Sequence, residues 1–285
     1  MIKSCSNIKY GRTDHDLLVS QSMVKSITGL LIGMAIGDGA IKSIDDTAGA
    51  YVPGLRGTEY GATPLRALLH MSSGVDFGEE RDHGRDLDRL WIDMVRGSGS
   101  KGTVASIAQF NRRIAPPGTR FYYASIEPDV LGLVLRYAIN KSASDYLREK
   151  IWKPIGTEAD AKWLIDAEGF EVAHHGFNAV LRDYARLLAH DGAWDGKQII
   201  PAQWMLDTTT TRPSDAYLAP GLTEPHAFGY GYLMWLLPGT RRQFTPIGFF
   251  GQRILVDPAT KLIMEQTAVE NSVGPLWSDV VKTFG

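Results

Sequence analysis

One cysteine, Cys5, stands in the 285 residues, which excludes an internal disulfide and any cysteine-based structural zinc site. Charge of one sign is equally scarce: 30 Lys and Arg face 32 Asp and Glu, a formal net charge of −2. Nothing electrostatic therefore favours DNA, RNA or an anionic membrane as partner. No apolar run approaches the roughly 18–20 residues that span a bilayer. The first ten residues lack the apolar stretch of a secretory signal, so a soluble, cytoplasmic protein is expected. There is no His-x-x-x-His or His-x-His pair, and the adjacent His174 and His175 would point apart on a strand. No metal site and no cofactor are expected. Gly-x-Ser-x-Gly is also missing, which argues against the nucleophile elbow of α/β-hydrolases. No repeat of fixed period and no low-complexity tract occur.

What is present reads first as helices. From Ser20 to Ile36, apolar residues Ile27, Leu30, Leu31, Met34 and Ala35 recur at helical spacing, and Gly37-Asp38-Gly39 ends the run. Few charges follow Lys25, which predicts a helix buried on most sides. Thr63 is a candidate N-cap with Pro64 at the first helical position and Gly74 beyond the end. Residues 78–101 are charged and glycine-bearing and read as a surface excursion with one amphipathic piece at 87–95. The paired acids within 79–83 read as solvated surface. Further helices are expected near 129–138, at 146–152 behind a Ser142–Asp145 capping box, at 180–190 and at 201–208. After about residue 225 the period becomes two: residues 228–235 alternate, and 250–256 and 261–269 flank the turn Asp257-Pro258-Ala259-Thr260. An antiparallel meander follows, with a short closing helix at 275–284. Helices in the middle and strands at the end argue an α+β protein. The expected layout is one domain over 1–285, with an α/β part at about 1–54 and 226–285 and a helical region at about 55–225.

Ser22-Met23-Val24-Lys25 places a hydroxyl and an amine three residues apart, on one face near a helix start. A serine alcohol needs a base to become a nucleophile, and a lysine serves where its ammonium is disfavoured. Burial and the positive end of a helix both disfavour an ammonium. The Ser22 N–H is also among the unpaired donors of a helix start, able to hold an oxyanion. The same Ser-x-x-Lys spacing recurs at Ser6/Lys9, in the poorly anchored N-terminus, and at Ser98/Lys101, in a glycine-rich loop. Only Ser22 opens a buried helix. The bland alternative makes Ser22 an N-cap and Lys25 a first-turn surface residue; Tyr123, in an aromatic run, has a plain core reading.

Two further segments keep the Ser22 motif company. Tyr123-Ala124-Ser125 lies between the turn Pro116-Pro117-Gly118 and a helix, and residues 246–252 carry glycines in a strand. Together with Ser22-x-x-Lys25 these resemble the three motifs of the serine β-lactamase and penicillin-recognising family. Flanking segments resemble its class C branch, in particular 6-aminohexanoate-dimer hydrolases and family VIII carboxylesterases: Tyr51-Val52-Pro53-Gly54-Leu55, Leu68-Leu69-His70-Met71-Ser72-Ser73-Gly74 and the stretch 178–186. The resemblance implies a β-lactamase/transpeptidase-like fold, an antiparallel sheet flanked by helices. It makes Ser22 the nucleophile, Lys25 its general base and Tyr123 the relay of a proton to the leaving group. The N–H groups of Ser22 and Phe249 would form the oxyanion hole, and Ser125, Ile247 and Gly248 would bind substrate.

Departures from the family pattern shape the substrate expectation. The second motif usually ends in Asn, and here it is Ser125, which reaches less far. The third motif begins with Lys in penicillin-recognising members, and here it reads Pro246-Ile247-Gly248, with no cation for a substrate carboxylate. Neutral esters or amides are favoured, cleaved through an acyl-serine. The strands that precede the nucleophile helix in the family are shortened or missing, with Ile8-Lys9-Tyr10 a remnant of one. A second copy covering the exposed sheet edge would give a homodimer. The alternatives are a catalytically impaired binding protein of this fold and a penicillin-binding or β-lactamase enzyme. Trp91, Trp163 and Trp235 are expected to be packing residues or part of an acyl pocket.

Overall fold

The computed structural model describes residues 11–79, 86–95, 99–210 and 229–268. The expectations placed on Cys5, Ser6/Lys9, Ile8-Lys9-Tyr10, Ser98 and the closing helix at 275–284 lie outside the described residues. The helices run in chain order as α1 (Val24–Gly37), α2 (Ala48–Tyr51), α3 (Leu65–Leu69), α4 (Asp86–Val95) and α5 (Gly102–Ala108). They continue as α6 (Ile126–Ile139), α7 (Ala143–Leu147), α8 (Leu181–Leu188) and α9 (Ala202–Thr209).

Helix α1 is the core of the molecule. Every residue from Val24 to Ala35 is buried, as the scarcity of charge in this stretch requires. It packs against α6, and glycines let neighbours come close. A side chain at Gly33 would occupy the place of the Trp204 indole, whose Nε1–H donates to Gly29 O at 3.0 Å and ties α9 to α1. Asn140, in the left-handed region with φ 51°, ends α6 as a C-terminal cap. The expected capping box forms by half: Ser142 Oγ accepts the Asp145 N–H at 2.9 Å at the start of α7, while the Asp145 carboxylate takes the Ser142 hydroxyl hydrogen.

Thr63 is not the cap of α3. That helix begins one residue later than expected, after an extended Pro64, and Thr63 Oγ1 instead donates to Glu59 O and accepts from Arg113 Nη2. The guanidinium of a distant arginine wins over the local cap.

The strands are β1 (Leu18–Val19), β2 (Lys162–Trp163), β3 (Phe177–Ala179), β4 (Ala193–Trp194), β5 (Lys197–Gln198), β6 (Gly229–Tyr230) and β7 (Trp235–Leu236). After them come β8 (Phe244–Thr245), β9 (Ile247–Gly248), β10 (Gln252–Asp257) and β11 (Leu262–Gln266). The larger sheet is antiparallel, ordered β11-β10-β8-β7-β6, with β9 also paired to β10; β1-β3-β2 form a second sheet. The hairpin β10–β11 turns where expected, because Asp257 Oδ1 accepts the N–H groups of Ala259 and Thr260. The alternating run expected over 228–235 is not one strand. Gly231 N–H donates to Met234 O and Leu233 has φ 53°, so the chain folds back and β6 pairs β7. Both arms of a short hairpin share the period-two pattern, and the pattern alone does not show the reversal. Among the described residues no helix is long and apolar enough to cross a membrane.

Candidate active site

The nucleophile turn is built by a change of conformation. Ser20 N–H donates to Phe177 O at 2.8 Å, anchoring the end of β1 against β3. Gln21 then takes φ 48°, a left-handed conformation that costs a non-glycine residue about 1–2 kcal/mol. A single 3₁₀ turn, Gln21–Met23, carries Ser22 into α1. One turn on, Lys25 is 2% exposed, and its Nζ lies 2.7 Å from Ser22 Oγ and 3.2 Å from His174 O. The same Nζ also sits 5.0 Å from the centre of the Tyr123 ring.

His174 O is in turn held from α6. Asp129 Oδ1 accepts the N–H groups of Ala173 and His174 at 2.9 and 3.2 Å, and Oδ2 lies 2.6 Å from His174 Nδ1. A carboxylate accepts only, so the imidazole carries its proton on Nδ1. Asp129 fixes the loop, the loop presents a carbonyl, and the carbonyl holds Lys25. His174 and His175 were set aside in sequence because they form no metal motif; the structure gives His174 this positioning task and places both at the cleft. Nothing local signals it, since the partners lie 45 residues apart in sequence. Among the described residues no group of three or more His, Cys, Asp and Glu could hold a metal ion.

A cleft of about 210 Å³ opens above Ser22. Gln21 and Ser22 form its floor with His174 and His175; Leu87, Asp88 and Trp91 of α4 form one wall, and Ser125 and Phe249 complete it. The expected surface excursion at 78–101 is thus in part a wall of the cleft. Helix α4 is pinned by buried Leu90 and Met94, with Leu87, Trp91 and Val95 also packed partly against the core. Burial pushes His175 down to about 4, so it is a neutral imidazole at neutral pH.

Of the expected site residues, Ser22, Ser125 and Phe249 line the cleft, and Lys25 lies directly beneath it. Tyr123 stacks on Trp235, with ring centres 5.6 Å apart, and meets Tyr230 edge-on at 6.4 Å, so its ring is held on two sides. Tyr123 is half-buried and beside the amine, which is more than the plain core reading requires. Gly248 has a steric reason to be glycine: a Cβ there would sit 2.5 Å from Ser20 O and 2.8 Å from Gln21 Cβ. Strand β9 therefore presses its bare backbone against the nucleophile turn, and the next residue, Phe249, is carried to the mouth of the cleft, 62% exposed. Ile247 is half-buried and pairs with Arg253 across β9–β10, on the strand rather than among the residues lining the cleft.

Two acidic residues behind the second motif escaped the sequence reading. Glu79, read as solvated surface, turns inward: its Oε1 accepts from Ser125 Oγ at 2.6 Å and its Oε2 from Ser125 N at 2.7 Å. Residues 80–83 of that charged run lie outside the described residues. Glu127, in the first turn of α6, accepts the Ser73 N–H at 3.2 Å, and burial pushes its carboxyl up to about 8.

Fold and site together have the form of a serine-hydrolase scaffold: a glycine-backed strand, a tyrosine segment and a Ser-x-x-Lys helix meeting at one cleft. The Beta-lactamase family model matches residues 13–265, and the chain belongs to that family. The 6-aminohexanoate-dimer hydrolase of Paenarthrobacter ureafaciens is 24% identical over 258 residues, 88% of this chain and 65% of the relative. The chain thus spans just under two thirds of that relative's length. Among solved structures, a putative 6-aminohexanoate-dimer hydrolase from Bacillus anthracis superposes with a TM-score of 0.85 at 24% identity, covering 98% of this chain and 74% of that one. A family VIII carboxylesterase gives 0.65 at 17% identity, over 91% and 79% of the two chains. The β-lactamase/transpeptidase-like α+β fold expected from the motifs is the fold observed.

Proposed function

We propose that this chain hydrolyses small neutral esters or amides through an acyl-serine formed on Ser22. The observation that carries the reading is the 2.7 Å contact between Ser22 Oγ and a lysine amine that is 2% exposed, at the floor of a cleft. With the amine uncharged, the contact runs from the Ser22 O–H to the Nζ lone pair, while one N–H remains on His174 O. Lys25 takes the hydroxyl proton as Oγ attacks the carbonyl carbon, and the carbonyl π pair moves onto oxygen. The N–H groups of Ser22 and Phe249 hold that oxyanion, each worth on the order of a hundredfold in rate. Collapse breaks the bond to the leaving atom, which takes a proton by way of Tyr123. Water then attacks the acyl carbon, giving the acid and restoring the Ser22 hydroxyl.

The preference for neutral substrates rests on what the cleft offers. Pro246-Ile247-Gly248 supplies no cation, and the charged residue on the α4 wall is Asp88. A carboxylate-bearing β-lactam lacks its usual anchor there, and a fluorescent penicillin is expected to leave the protein unlabelled. The decisive experiment is reaction with a fluorophosphonate followed by peptide mapping. One adduct on Ser22, lost in Ser22→Ala together with turnover of a p-nitrophenyl ester, is the expected result. An adduct elsewhere, or unchanged hydrolysis in Ser22→Ala, removes the mechanism.

A further inference from the structure

The turn after β9 displays two aromatic rings at a cost to its own backbone. Phe249 is 62% and Phe250 48% exposed, with ring centres 6.2 Å apart and planes tilted by 49°. Phe250 takes φ 60° and ψ 29°, a left-handed conformation that glycine adopts freely and a β-carbon makes costly. Polar side chains fix the turn. Gln252, 2% exposed, donates from Nε2 to Phe250 O at 3.2 Å, and Gln266 donates from Nε2 to Gly251 O at 3.1 Å. Exposure and strain at one residue both work against folding, and strain of this kind collects at sites that use it.

The pair has a defined place relative to the chemistry. Phe249 lines the cleft with Leu87 and Trp91, so the apolar lining continues out to the mouth. Its N–H is the proposed partner of the oxyanion. The carbonyl of a bound ester therefore lies at the residue that bears one ring and next to the residue that bears the other. At about 210 Å³ the cleft is smaller than the roughly 300–1,000 Å³ of pockets that enclose drug-sized ligands, and a longer ester has to extend past its mouth. We infer that Phe249 and Phe250 form an aromatic lip that binds an alkyl or aryl group of the substrate, and that the protein selects neutral esters with an extended apolar chain over short ones. The inference rests on the reading of Ser22 as nucleophile. The same apolar chemistry is available on either side of the scissile bond, in the acyl group or in the alcohol, and the experiment separates the two.

The test measures kcat/KM in two series, p-nitrophenyl acetate against p-nitrophenyl octanoate and ethyl acetate against octyl acetate, each below its aggregation concentration. The first lengthens the acyl side and the second the alcohol side. A methylene taken fully out of water is worth about fourfold, and a lip that covers one side of the chain gives part of that. The longer ester is expected to be favoured by about tenfold or more in one series or both. Phe250→Gly and Phe250→Asn suit a left-handed backbone, and should cut that ratio by about threefold or more while the melting temperature holds or rises. Phe250→Tyr keeps the ring and should keep the ratio. A ring with only a structural task has the opposite signature, in which melting falls and the ratio stays. An unchanged ratio in the glycine and asparagine variants overturns the inference whatever the melting temperature does, as does a ratio near one in both series of the unaltered protein. Fluorophosphonate labelling of Ser22 marks a folded site, and should Phe250→Gly not label, Phe250→Asn decides. Turnover of p-nitrophenyl acetate with a Ser22 adduct would then leave the nucleophile reading standing. Failure to turn over any of the esters, with no Ser22 adduct, overturns both.

Discussion

The floor and the rim of the cleft are built on opposite terms. Around the floor, the groups that set the nucleophile have partners in the protein: Lys25 on Ser22 and His174 O, His174 on Asp129, Ser20 on Phe177 O. Ser20, Lys25, Asp129 and His174 are all buried, and a displaced side chain among them has nowhere to go. At the rim, Phe249 is 62% and Phe250 48% exposed, and on α4 only Leu90 and Met94 are buried. Chemistry that depends on a 2.7 Å contact belongs on the floor, where packing holds it; selection among substrates belongs at the rim, where side chains can change at little cost to the fold.

That contrast can be tested from the strongest site to the weakest. Lys25→Met keeps the bulk and removes the amine, and kcat for a p-nitrophenyl ester should fall by about a thousandfold or more while the melting temperature holds or rises. Retained turnover would take the base away from Lys25. Asp129→Ala leaves the N–H groups of Ala173 and His174 and the His174 ring without their acceptor. A loss of about 3 kcal/mol in urea unfolding is expected, with a drop in kcat of about tenfold or more as His174 O drifts from Lys25. Gly248→Ala forces a Cβ against Ser20 O, and should cost about 1–3 kcal/mol and slow acylation, because the nucleophile turn must move. An unaltered rate would show that β9 does not bear on Ser22. Phe249→Ala is the mildest: its proposed oxyanion donor is backbone, and its ring is at the surface. Stability should stay within about 0.5 kcal/mol, with the effect appearing in KM for bulky esters rather than in kcat. A collapse in kcat there would place the rim among the fixed parts.

What was legible in the sequence carries marks that are local. A hydroxyl and an amine one helical turn apart, an apolar run with no later charge, a Ser142 cap and an Asp257 turn are each decided within a few residues. What escaped was long-range. Thr63 looks like a cap until Arg113 arrives from 50 residues away, and Glu79 looks like solvated surface until it meets Ser125 across 46. His174 carries no motif, and its importance lies in its backbone oxygen, an atom that every residue has. The wall at α4 was read as an outward piece for the same reason: its spacing shows that one face is buried, and only the fold shows what the neighbouring face looks onto.

Helix α4 bears on how such a protein diversifies. Leu90 and Met94 are buried and Leu87 and Trp91 pack partly against the core, while Leu87, Asp88 and Trp91 line the cleft. Leu90 and Met94 hold the helix without lining the cleft, and Asp88 lines the cleft while exposed, so a lineage, or an engineer, can rewrite Asp88 while leaving the anchors intact. Taste for new molecules is then reachable by single substitutions, without any intermediate that fails to fold.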